Sequence, residues 1–326
     1  MITNKRKILF YGNCQFRWLA ETFKNIKNFD DHYEIIKSTD YQLPNQGDEN
    51  VVSNFMMNRS TKNKSDYKTA LDNLNCALIH ADILIFQSFS EENEFGNDFT
   101  TDNIINKFEG DSVCVPSLWF GGYLQNPSLF PMLDVFIWLR NHGKSKAEII
   151  KFLATQNHQI FDKLIDYHYG ISMDGLKQRK KEQSSKYNYL CIEKWIEDNW
   201  EKTLISFNHS HQTSNYTNFI HTKIIEMLKM SELEPYNGDF DFFIGGPDGH
   251  FYPNSFKFFR GRFPEISKTI KKFRKNYDCW GSYNSKMFGS YVSLGIKTAD
   301  EEIKRSQKTN VLPMESLKVI NSIPYD

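Results

Sequence analysis

Short, nearly unbroken apolar runs alternate with stretches of helical spacing through the first part of the chain. Ile8-Leu9-Phe10-Tyr11 is β-branched and aromatic enough for a buried strand, Gly12-Asn13 is a turn pair that tolerates positive φ, and 16–26 carries helical spacing. Residues 32–38 predict a second strand, 41–57 a polar connection, 67–80 a helix, and 81–88 the clearest internal strand, with Gln87 at its carboxyl tip. A helix over 101–108 leads to a further strand over 112–117. Solid apolar strands separated by helices are the pattern of a parallel sheet covered on both faces. Its chemistry belongs at the carboxyl ends, where Cys14, Gln87 and residues 117–123 would gather.

From 131 to 202 the periodicity turns helical, with the strongest spacing over 145–156, 159–170 and 193–200. The charge run 177–182 reads as a solvated helix face. A polar, histidine-bearing stretch, 206–213, precedes a helix over 216–230, and a Gly/Pro-rich patch, 245–253, opens the last part. Residues 257–262 are basic and aromatic; helical spacing returns over 298–307 and again over 316–320. The expected organisation is one elaborated α/β domain: a sheet-forming core over 1–130 with the nucleophile turn, a helical region over 131–235 carrying the histidine loop, and an extension over 236–326 packing on the core.

Charge adds an exclusion. Lys plus Arg equals Asp plus Glu, 40 against 40, which gives no electrostatic case for wrapping nucleic acid. The 15% aromatic share points to well-filled cores. No run approaches the ~20 apolar residues of a membrane helix, and the apolar stretch after the basic start is too short for a signal peptide, so a cytoplasmic protein is expected. Five widely spaced cysteines without a CxxC pair predict neither a zinc site nor a disulfide framework.

One cysteine stands apart by position. Cys14 lies between the first strand and the first helix, where unpaired N–H groups and the positive end of the helix dipole favour a thiolate and can hold an oxyanion. A structural cysteine at a tight turn is the competing reading. The backbone N–H groups near Cys14 and Gln15 and the Gln87 amide are candidate oxyanion donors, with a strand-end hydrogen bond the plainer role for Gln87.

The block Tyr11-Gly12-Asn13-Cys14-Gln15 after a strand resembles the start of the WcbI-type polysaccharide-biosynthesis acetyltransferases, relatives of the SGNH/GDSL hydrolase-like folds. Further blocks similar to that family follow in order: the strand ending at Gln87, Val115-Pro116-Ser117-Leu118-Trp119-Phe120-Gly121-Gly122-Tyr123, Phe207-Asn208-His209, Gly246-Pro247 with Tyr252-Pro253, and Gly281-Ser282-Tyr283. Two positions depart from its pattern: Leu124-Gln125 stands where His-Pro is usual, and Ser210 where Pro is usual.

The resemblance implies an SGNH-like parallel sheet flanked by helices, with additional mainly helical segments. It also implies transfer of an acetyl group from acetyl-coenzyme A to a sugar hydroxyl in capsular or surface polysaccharide synthesis. Cys14 would be the nucleophile and His209 the base, with Gly12, Asn13, Gln15, Gln87 and Tyr123 at the oxyanion and substrate. Arg17, Asn208 and His211 would face the coenzyme, whose phosphates call for cations and a helix N-terminus. His211 is also a rival base. So is His250, since Asp248-Gly249-His250 resembles the Asp-x-x-His block of the hydrolases but is one residue short. No metal is expected. The partners expected are acetyl-coenzyme A and a saccharide acceptor, with peripheral attachment to a polysaccharide assembly complex compatible with both. The alternatives are a thiol-dependent esterase or deacetylase of the same fold, and a non-catalytic sugar- or nucleotide-binding protein in which Cys14 is structural.

Overall fold

The computed structural model describes residues 5–12, 14–36, 64–88, 97–123, 132–155, 158–206, 212–235, 237–238, 261–269 and 285–309. At its centre four strands, β1 (Arg6–Tyr11), β2 (Tyr33–Ile35), β3 (Ile83–Phe86) and β4 (Asp111–Cys114), form a sheet in the order β2-β1-β3-β4. Every pairing is parallel, with Ile8 opposite Ile35 on one side and Ile83 on the other, and Phe86 opposite Cys114. The parallel sheet expected from the solid apolar runs is therefore present, and its strands begin and end within a few residues of where the sequence puts them.

Alternation along β1 sends its side chains to two faces. Leu9 and Tyr11 join Leu84, Phe86 and Cys114 in one cluster, closed by Leu74, Ala77 and Leu78 of the helix Lys64–His80 and by Ile104 of Thr101–Ile105. On the other face Phe10 meets Phe23 of α1 (Cys14–Phe23) edge-on, and Phe23 in turn meets His221 of the helix Ser214–Met227. Ile8, Leu9, Phe10 and Ile83, Leu84, Ile85 are all wholly buried, which is why neither central strand shows an amphipathic pattern.

The outer edge of β4 is not left open. Cys114 donates its N–H to the Asn188 carbonyl and accepts from Leu190 N–H, both at 2.9 Å, so residues 188–190 continue the sheet as a parallel bridge too short to read from sequence.

The chain divides into two compact units. The sheet belongs to the first, residues 1–117, 177–192 and 212–244. The second, residues 118–176, 193–211 and 245–326, contains the helices Leu133–Asn141, Lys146–Thr155, Glu193–Asn199 and Ser285–Thr309. Within it the helix Ser285–Thr309 packs on Leu133–Asn141, held by a two-pronged Arg140–Asp300 contact at 2.8 and 3.2 Å. Trp200 stacks on Tyr169 with ring centres 4.2 Å apart, beside Phe120 and Phe263.

Helical spacing over 159–170 underestimates the helix it marks. It runs as His158–Gln183, passing Gly170, where an added Cβ would meet nothing, and absorbing the charge run in its last turns. Among the described residues no helix is long and apolar enough to cross a membrane, and no group of three or more His, Cys, Asp or Glu is placed to hold a metal ion.

Candidate active site

The chain leaves β1 for β2 on one side and later returns to place β3 on the other, so the order reverses at β1. In such sheets the crevice outside the carboxyl ends of the two strands flanking the reversal is where ligands sit. Gly12, Cys14 and Gln15 follow β1 there, and Gln87 and Ser88 follow β3. Cys14 is the first residue of α1, and Arg17 lies in the same first turn.

Gly12 bends the chain after β1 without a positive φ. Its constraint is space: a Cβ there would lie 2.3 Å from Cγ and 2.8 Å from Cβ of Phe16, so only glycine lets α1 close down on the end of β1.

Beside this turn several described amide and hydroxyl side chains are hydrogen-bonded to one another. Gln15 is buried, and its Oε1 lies 3.5 Å from Ser117 Oγ and 3.2 Å from Gln212 Nε2, both donors to it. Two donors converging on the amide oxygen fix the orientation of the amide. Gln87 is equally buried, and its N–H donates to the Tyr11 carbonyl at 2.8 Å, extending the β1–β3 ladder one step beyond the strands. Gln183 Nε2 donates to Ser88 Oγ at 2.6 Å, and Arg179 Nη2 donates to the Ser117 carbonyl at 3.3 Å.

Tyr123 belongs to the second unit and is buried there. Its hydroxyl is shared between the carbonyls of Trp200 (2.7 Å) and Thr203 (3.0 Å) and accepts from Ile205 N–H at 3.3 Å. Burial holds its proton well above the usual phenol range. Arg262 pairs with Asp166 and Glu201 and lies over the Trp200 ring. Asn13, Asn208, His209, His211, Asp248 and His250 lie outside the described residues, as do the segments 41–57, 245–253 and 316–320.

Cys114 illustrates what an inert thiol looks like here. Burial at the end of β4 pushes it up to about 12, where it is not a nucleophile at neutral pH.

Arg179, Gln183 and Gln212 escaped the sequence reading. Gln212 had a signal, since it lies in the polar block that contains Asn208-His209. Arg179 had none, because within Lys177-Gln178-Arg179-Lys180-Lys181-Glu182 nothing separates an inward cation from its solvated neighbours.

No protein-family model matches the chain, and no curated protein matches it in sequence. A solved structure does: WcbI, described as a polysaccharide biosynthesis enzyme, as the native protein without a disulfide bond between coenzyme A and a cysteine. The similarity covers 97% of this chain and 99% of that one, with a TM-score of 0.59 and 14% sequence identity. At that identity the likeness is one of fold, and the α/β architecture here is WcbI-like.

Proposed function

We propose that this chain is a coenzyme A-dependent acyltransferase that moves an acetyl group onto a sugar hydroxyl in polysaccharide biosynthesis, with Cys14 as nucleophile and His209 as base. The observation that carries this reading is the place of Cys14, first residue of the helix that follows β1 at the point where the strand order reverses. Support comes from the fold, which is similar to that of an enzyme described together with coenzyme A and a cysteine. The SGNH-like reading of the sheet is a proposal that rests on the sequence resemblance of the block 11–15 alone.

The chemistry suits a thiol at a helix start. The first-turn N–H groups favour the thiolate, which adds to the thioester carbonyl. As the new S–C bond forms, the bond to the coenzyme sulfur breaks and that thiolate takes the proton held by His209. In the second half the acceptor hydroxyl gives its proton to His209, its oxygen adds to the acyl carbon, and the Cys14–acyl bond breaks. One thioester is exchanged for another at little free-energy change, and ester formation then runs downhill. The amide of Gln15 is oriented by Ser117 and Gln212, and its nitrogen is a neutral donor suited to the developing oxyanion; Gln87 joins it in this reading. Asn13, Arg17, Asn208 and His211 keep their proposed places around the substrates, whereas the Tyr123 hydroxyl is taken up by the backbone of Trp200, Thr203 and Ile205.

Intact mass spectrometry tests this. After mixing with acetyl-coenzyme A the chain should carry one acetyl group, discharged when an acceptor saccharide is added and never formed by Cys14→Ala. Undiminished transfer by Cys14→Ala would show that the sugar attacks the thioester directly and would remove Cys14 from the reaction.

A further inference from the structure

We propose that Arg179 is an anion receptor at the carboxyl end of the sheet, binding a phosphate or carboxylate group carried by the small-molecule substrate; the choice of probes rests on the acyltransferase reading. Among the arginines with described side chains, Arg6 faces Asp111, Arg140 faces Asp300, Arg262 faces Asp166 and Glu201, and Arg305 faces Glu302. Arg179 has no carboxylate against it among the described residues. Its Nη2 makes one 3.3 Å bond to a neutral carbonyl, and its Nε is buried without a partner.

A guanidinium keeps its charge at any working pH, and Arg179, half-buried as a whole, holds its Nε–H out of water without an acceptor, which is unfavourable. A native structure retains such a group where something else completes it. The surroundings say what. Ser117, whose carbonyl Arg179 holds, also donates to Gln15, so the cation is one residue removed from the first turn of α1. The groups bonded around that turn (Gln15, Ser117, Gln212, and Ser88 with Gln183) are neutral hydroxyls and amides. They leave the charge uncompensated and do not repel an incoming anion. An oxyanion offers the planar guanidinium two acceptors at once, in place of a single long bond to a carbonyl.

Titration calorimetry of the full chain with matched probes decides this. The pairs are 4′-phosphopantetheine with pantetheine, coenzyme A with dephospho-coenzyme A, and methyl glucuronoside with methyl glucoside; the first two report a phosphate of the acyl carrier and the third a carboxylate of the acceptor. One pair should favour its more anionic member by roughly tenfold or more in the wild type. Arg179→Gln should erase that preference and leave the other member's affinity unchanged, with circular dichroism confirming the fold. Should Arg179→Gln not fold, Arg179→Lys serves: it keeps the charge but loses the fork, and must weaken the anionic member more than its counterpart. A wild type that prefers neither member of any pair, or a preference that survives in Arg179→Gln, overturns the receptor. Binding of coenzyme A without preference would do so while leaving the acyltransferase reading intact. A glucuronoside preference without any binding of coenzyme A would leave the receptor and overturn that reading.

Discussion

His221 shows how a titratable side chain can serve only the fold. It is wholly buried, with Nε2 3.2 Å from Thr22 Oγ1 and its ring edge-on to Phe23. The Thr22 hydroxyl spends its proton on the Trp18 carbonyl at 2.7 Å, so the imidazole is the donor between them. Desolvation pulls its pKa down to about 3, against about 6.5 for the unfolded side chain. Between those values the unfolded chain holds one proton more than the folded one, so acid favours unfolding. Stability contributed by neutral His221 is fully present above pH 6.5 and falls by about 1.4 kcal/mol per pH unit as pH drops toward 3. Urea unfolding between pH 7 and 5 should show this slope, and His221→Gln should flatten it while lowering stability at pH 7. An unchanged slope in the variant would assign the acid sensitivity to other groups.

At the level of elements, the junction of β1 and α1 depends on one pair. Gly12→Ala forces its new Cβ into the Phe16 ring and should cost about 1–3 kcal/mol, the range for overpacking a filled site. Measured in a double-mutant cycle, Gly12→Ala with Phe16→Leu should lose less than the sum of the two single variants; strict additivity would mean the strain lies elsewhere. Strands such as Ile83–Phe86 were legible because burial on both faces leaves no choice but apolar residues. Helix ends were not. Gly170 and the charges after it look like a terminus, yet Gly170 stands in open space where glycine costs the helix only its propensity, about 1 kcal/mol, and His158–Gln183 continues through it. What Gly12 is for was not legible for a related reason, since a sequence records that glycine is present and not whether φ or the neighbouring Phe16 ring demands it. Arg179 and the 188–190 bridge depend on partners far along the chain, Ser117 and Cys114, which no local pattern encodes.

Across the whole sheet, protection should follow burial. Native-state hydrogen exchange should find the amides of residues 8–11 of β1 and of β3 the slowest, because both strands are paired on both sides and these residues are buried, and those of β2 and the 188–190 bridge faster. Equal protection at the edges would argue that the sheet opens only with global unfolding. The strand order has a kinetic side as well. β1 finds β2 across the α1 crossover, with residue 35 pairing residue 8, but β3 only with residue 83 pairing residue 8, and the Thr22–His221 contact waits for a segment 199 positions later. Both edges of β1 can be paired once residue 86 has been made, but the helix Ser214–Met227, which brings His221 against Phe23 on the α1 face, follows only later in synthesis. High contact order of this kind makes folding slow, and it makes the turn that presents Cys14 one of the last parts of the chain whose surroundings are complete.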